Sequence, residues 1–215
     1  QNFSVRKNVL NYDDVMNTQR EIIYSQRQQV LDGEDLHDSI EKMIDDFIDD
    51  SVNMYVQGEI ADDWNLVGLK ERLNGLFTTE DDFNYTPEEL DEVSRDEIVN
   101  TLKDRAQKLY DAREEELGEE LLHEIERVCL LKVVDTKWMD HIDDMEELKR
   151  GISLRSYGQK NPVVEYRMEG MDMFDAMIES IREDTVRMLF TIKVRQQVAP
   201  QRQEVLRPME HHNNS

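Results

Sequence analysis

The sequence predicts an all-α fold: a long-helix scaffold carrying an antiparallel helical hairpin, with a small acidic helical module inserted between the scaffold's parts. Three observations predict it. Apolar residues recur near a 3.6-residue period over long runs. Gly (8) and Pro (4) are scarce and charged residues reach 35%, a balance that favours long helices with solvated faces. No segment alternates apolar and polar residues strictly enough to mark a strand.

The first helix is expected over residues 5–31, where Val5, Val9, Tyr12, Met16, Ile22, Ile23 and Val30 keep helical spacing. Asp32-Gly33 closes it, Gly being the residue best suited to the position just past a helix end. Residues 35–57 give a second helix with Leu36, Ile40, Met43, Ile44, Phe47, Ile48 and Val52 on one face. Asp45, Asp46, Asp49 and Asp50 lie opposite. A shorter helix is expected over 65–74, then an acidic loop over 77–85. Thr86-Pro87-Glu88-Glu89 reads as a capping box with proline at the first helical position, and Ser94-Arg95-Asp96-Glu97 repeats the pattern. The helix that follows passes through Leu102, Ala106, Leu109 and Leu117, and Gly118 kinks or breaks it.

Residues 119–150 are helical again, with Leu122, Ile125, Val128, Cys129, Val134, Trp138, Ile142, Met145 and Leu148 as the apolar stripe and Gly151 as the expected end. Asn161-Pro162 supplies a cap and a first-position proline for a last helix running to about residue 193. The organisation expected is therefore a long first scaffold helix over 1–32, an acidic helical module over 33–117, the hairpin over 118–195 and a tail without periodicity over 196–215. At about 1.5 Å per residue the first and last helices each exceed roughly 40 Å. Such helices bury their stripes only against each other or against further domains.

The net charge of −23 is concentrated: residues 32–100 alone carry −18. Nucleic acid is not expected as a partner, because phosphate binding needs clustered cations. An acidic helical face is ordinarily a solvated face, and its alternative use is docking a basic protein. No apolar run reaches the roughly 18 residues of a membrane span. The lone Cys129 excludes an internal disulfide and a cysteine zinc cage and fits a reducing compartment. The chain opens on Gln1, which reads as a fragment or a processed product.

No catalytic constellation stands out. GxxxxGK(S/T) and GxGxxG are both absent. His123-Glu124 begins like the zinc motif HExxH, but Arg127 stands where the second His is required, so His123 reads as a surface residue. Asp140, His141, Asp143 and Asp144 read as a solvated helical face. Met168, Met171, Met173 and Met177 crowd one helix, either as core filling or as an adaptable groove for varied peptides. The sharpest residue is Tyr157, in the polar loop over 153–161 with Arg155 and Lys160 beside it. A tyrosine offers a large contact area with few rotors and a polar end. It either folds back onto the hairpin or stands out from its tip.

Two long runs carry a resemblance. LLKVVDTKWMDHIDDMEELKRGISLRSYGQKNPVVEYRMEGMDMFDAMIESI resembles the two-helix finger of SecA, the ATP-driven motor family of bacterial protein export, and FSVRKNVLNYDDVMNTQREIIYSQRQQVLDGEDL resembles the start of its helical scaffold domain. The acidic module between them is similar in position and character to the helical wing domain. The resemblance implies a finger whose tip aromatic, here Tyr157 with Leu154, Arg155, Gln159 and Lys160 beside it, contacts the unfolded preprotein at the mouth of the SecY channel. It implies further partners in the other SecA domains and an anionic membrane surface. The implied location is cytoplasmic, peripheral to the inner face of the cell membrane. ATP and magnesium belong to motor domains whose motifs this chain lacks, so the chain alone is not expected to be an enzyme. The cysteine-rich zinc tail of the family is also missing, and no cofactor or metal is expected here. Exposed stripes also allow a dimer. A reading of a different class is a free-standing helical adaptor whose acidic module docks a basic partner.

Overall fold

The computed structural model describes residues 2–33, 35–155 and 161–195, and within them the side chains of Arg6 and of residues from 11 onward. All regular structure there is helical, in the order α1 (Asn2–Leu31), α2 (His37–Tyr55), a 3-10 turn (Ala61–Asp63), α3 (Leu66–Leu73), α4 (Pro87–Glu92), α5 (Arg95–Leu117), α6 (Glu119–Arg155) and α7 (Pro162–Thr191). The one extended feature among the described residues is an isolated bridge between Asn74 and Thr78. The expected all-α class is what forms.

Helices α6 and α7 are the walls of an antiparallel hairpin, and α1 lies along both. Its 37-residue wall, α6, is about 55 Å long at the standard rise. The core runs along this bundle in three parts. At the far end, where α6 finishes and α7 begins, Tyr12, Val15, Met145, Ile152, Val163 and Tyr166 pack together. In the middle, Ile23 and Val30 of α1 meet Val133, Trp138, Phe174 and Ile181. At the root, α2, α3 and α5 close over Leu122 and Cys129 of α6 and Val186 and Leu189 of α7.

The caps expected from sequence form. Thr86 and Ser94 each make a two-way capping box, with Glu89 and Glu97 respectively. Asn161 accepts from the Val163 amide at the start of α7. Gly118 breaks rather than kinks: its φ of 84° and ψ of 151° separate α5 from α6, a conformation that L side chains avoid.

Three expectations need correction. Gly151 does not end α6, which continues to Arg155. A helical glycine costs about 1 kcal/mol relative to alanine, and the extra turn places Ile152, fully buried, against the far-end core. Leu154 and Arg155 therefore belong to the last turn of α6 and not to the loop. The stripe of α6 is also different: Val128 is exposed, while Glu126 and His141 are buried beside Leu122, Cys129, Val133, Trp138 and Met145. The second helix begins at His37, two residues later than expected.

Candidate functional site

The hairpin end, its middle and its root each hold a distinct polar arrangement. At the end, Arg155 grips Glu169 with two parallel hydrogen bonds, Nη1 to Oε1 at 2.8 Å and Nη2 to Oε2 at 3.3 Å. This fork-to-fork geometry ties the last turn of α6 to the third turn of α7. Leu154 is 81% exposed, so it contributes little to the hairpin's own packing. Tyr157, Gln159 and Lys160 lie outside the described residues. In the same end of the hairpin, Tyr12 of α1 meets Tyr166 of α7 edge-on at 4.9 Å, and the Lys149 ammonium sits 5.4 Å from the Tyr12 ring. Burial, with Glu146 and Asp13 nearby, pushes the Tyr166 phenol up to about 12, so it stays neutral. The methionines divide. Met177 is core, Met173 is partly buried against the far-end cluster, and Met168 and Met171 are exposed.

In the middle, one hydrogen-bonded relay joins all three helices. Gln19 of α1 donates through Nε2 to the Gly170 carbonyl of α7 at 3.1 Å, and its Oε1 lies 2.6 Å from Nε2 of His141 on α6. A carbonyl only accepts, so it fixes the orientation of the amide. The amide oxygen must then face His141, whose Nε2 carries the proton and donates. Gln19 and His141 are each 3% exposed. His141 lies between Trp138 and Phe174, with ring centroids 5.6 and 5.8 Å away. Burial pulls its pKa below the ordinary value, against a smaller opposite pull from Asp144. The solvated reading holds for Asp140, Asp143 and Asp144, which are exposed, and fails for His141. Close approach makes the relay reachable: an added Cβ on Gly170 would stand 2.6 Å from the Met145 methyl.

At the root, Glu126 of α6 is fully buried. The Tyr110 hydroxyl of α5 donates to its Oε1 at 2.8 Å, and Nδ1 of His37 on α2 lies 3.3 Å from the same oxygen. Burial, then Glu126 itself, pushes the Tyr110 phenol up. His37 also meets Glu41 Oε1 through Nε2 at 3.3 Å. Burial disfavours its charged form, but Glu126 and Glu41 outweigh this and raise its pKa. His123 is half-buried, its ring centroid 5.5 Å from that of His37. It is not the surface residue expected from its acidic neighbours. Sequence reasoning missed this cluster because its parts come from three helices. The available signal was Glu126 itself, which stands four residues after Leu122 and three before Cys129, on the buried face.

The acidic face of α2 is partly neutralised within the chain. Lys42 pairs with Asp46, Lys103 of α5 with Asp49 and Arg182 of α7 with Asp50. The last two pairs fasten α2 to α5 and α7, and all three reduce what is left for a basic partner. No helix among the described residues is long and apolar enough to cross a membrane.

Comparison with known proteins agrees with this architecture. A family model described as "SecA Wing and Scaffold domain" matches residues 1–193. Among curated proteins, the Protein translocase subunit SecA of Syntrophomonas wolfei is 45% identical over 197 residues, covering 91% of this chain and 24% of that protein. Those of Desulforamulus reducens and Clostridium perfringens are each 48% identical, covering 93% and 95% of this chain and 22% and 24% of theirs. The chain thus spans about a quarter of the length of the relatives it matches.

Proposed function

Because the chain belongs to the SecA family, through that family's wing and scaffold region, we propose that it is the mechanical, non-catalytic C-terminal part of a protein-export motor. In this reading 1–32 and 118–195 are helical scaffold, 33–117 is the helical wing, and the α6–α7 hairpin is a finger. Its tip, carrying Tyr157 with Leu154, Arg155, Gln159 and Lys160, touches the unfolded preprotein at the SecY channel. ATP and magnesium act on motor domains outside this chain, and the whole motor works at the cytoplasmic face of the membrane.

The observation that carries the reading is the hairpin itself. Its walls are packed on α1 at the far end and in the middle and on α2, α3 and α5 at the root, and Arg155 is forked onto Glu169 of α7. Packed helices move as units rather than bend. A displacement imposed at the root therefore reaches the loop at the other end. Glycines at φ of 83° (Gly33) and 84° (Gly118) stand at the borders of the 33–117 module, which suits a unit attached through two turns. An aromatic tip suits a motor that handles many sequences, since an aromatic face binds with little selectivity.

The test is a crosslink from the tip. Tyr157→Cys is placed in the full-length motor with Cys129→Ser and no other free thiol, and a secretory substrate carrying single cysteines is stalled in the channel. Disulfides between residue 157 and the substrate near the channel mouth are the expected result. Failure to crosslink, while control cysteines along the same hairpin react, would overturn the tip role and leave the region a scaffold only.

A further inference from the structure

We propose that His37, His123 and Glu126 form a binding site for a zinc-class divalent metal ion that fastens α2 to α6. One ligand atom from each of the three lies within 4.8 Å of the other two. Glu126 is a fully buried carboxylate, and no lysine or arginine pairs with it among the described residues. Its Oε1 already accepts from Tyr110 and lies 3.3 Å from His37 Nδ1, while its Oε2 is buried with no hydrogen-bond partner. A buried carboxylate oxygen left without a donor is costly, and a bound cation is a partner that removes the cost.

The donor set selects the ion. Two imidazoles and one carboxylate suit zinc and its neighbours in the first transition series, whereas magnesium and calcium take oxygen ligands almost alone. Three protein ligands leave a fourth tetrahedral position for water. Ligand atoms about 2.1 Å from zinc stand roughly 3.4 Å apart, so side chains whose ligand atoms are up to 4.8 Å apart close inward on binding by at most about 1.4 Å. The surroundings already contain the outer partners that such sites use. If His37 ligates through Nδ1, its Nε2–H faces Glu41 Oε1 at 3.3 Å, the carboxylate–histidine–metal arrangement that fixes the ring and strengthens the ligand. Tyr110 holds Oε1 of Glu126 and stacks on His37 with ring centroids 5.9 Å apart. Both histidines are half-buried, so the ion enters from solvent.

His37 is the first residue of α2, and His123 and Glu126 stand in the first turns of α6. A metal there would pin the entry of the 33–117 segment to the root of the hairpin. This inference is independent of the tip's role in export.

The experiment is zinc titration by calorimetry into the 215-residue chain, with His211→Ala and His212→Ala as background so that the tail histidines make no contribution. One ion per chain, with melting temperature raised by roughly 5–11 °C at a hundredfold excess over Kd, is expected. His123→Ala, at a half-buried position, should abolish one-to-one binding while the metal-free chain keeps its helicity. Glu41→Gln should weaken binding by about 10-fold or more without touching a ligand. Absence of one-to-one binding in the background chain, or binding unchanged in both His37→Ala and His123→Ala, would overturn the site.

Discussion

Gln19→Leu tests whether the relay through the middle of the bundle binds its three helices together. The substitution keeps side-chain volume close to the original and removes both polar ends of the bridge. The Gly170 carbonyl loses a second partner only, since a mid-helix carbonyl retains its own helix's amide. His141 loses everything: its Nε2–H, buried and 2.6 Å from Gln19 Oε1, is left without an acceptor between two aromatic rings. Leaving a buried donor unsatisfied costs about 1–3 kcal/mol. For a chain of this size each kcal/mol moves the melting temperature by about 2–4 °C, so a cost of about 2 kcal/mol lowers it by roughly 4–8 °C. The decisive comparison is the cycle with His141→Leu. Replacing both partners by apolar side chains removes the orphaned donor, so the double variant should recover most of the loss, with a coupling of about 1–2 kcal/mol. Urea unfolding followed by circular dichroism gives the energies, and Trp138 fluorescence reports on the site because its ring lies 5.6 Å from His141. A single-variant cost below about 0.5 kcal/mol, or costs that simply add in the double variant, would refute the reasoning.

The same histidine gives a pH dependence. Burial holds its folded pKa below the unfolded value of about 6.5, so the folded state resists protonation; stability is intact above that value and declines as pH falls through the folded pKa. His141→Leu should flatten this acid limb in unfolding curves measured from pH 7 down to about 5. Gly118→Ala meets nothing within 4 Å, so its cost is backbone strain alone, about 1–3 kcal/mol in thermal unfolding; a neutral result would mean the α5–α6 junction relaxes. Arg105 donates to the Phe77 carbonyl at 3.1 Å and pairs with Asp82 at 2.8 Å, and its hydrogen bond to Asp82 is the leading reason that carboxyl titrates below its ordinary value. Arg105→Met should loosen the 75–85 segment, seen as faster amide exchange there while α6 and α7 keep their protection. Ser94→Ala removes one arm of a capping box and should cost about 1 kcal/mol, readable as increased exchange in the first turn of α5.

Elements whose causes are local were legible in the sequence. Thr86 and Ser94 cap because the glutamate three residues on reaches back to them, and Gly118 breaks the chain because only glycine takes its φ without strain. Asn161-Pro162 starts α7 for the same kind of reason. Residues whose partners are distant were misread. Gly151 read as an end, yet the helix passes through it because Ile152 finds the far-end core. His141 read as solvated among aspartates, yet it is buried because its acceptor lies 122 positions earlier.

Glu126 marks the same boundary most sharply. Its spacing from Leu122 and Cys129 puts it on the buried face, but the tyrosine on α5 and the histidine on α2 that make its burial tolerable are brought together by no local pattern. The sequence by itself determined that this protein is helical, where most helices start and stop, and the hairpin's existence. The tertiary structure alone decided which polar side chains lie inside, because a buried polar group is tolerable only when chain-distant partners satisfy it, and those partners meet only in the fold.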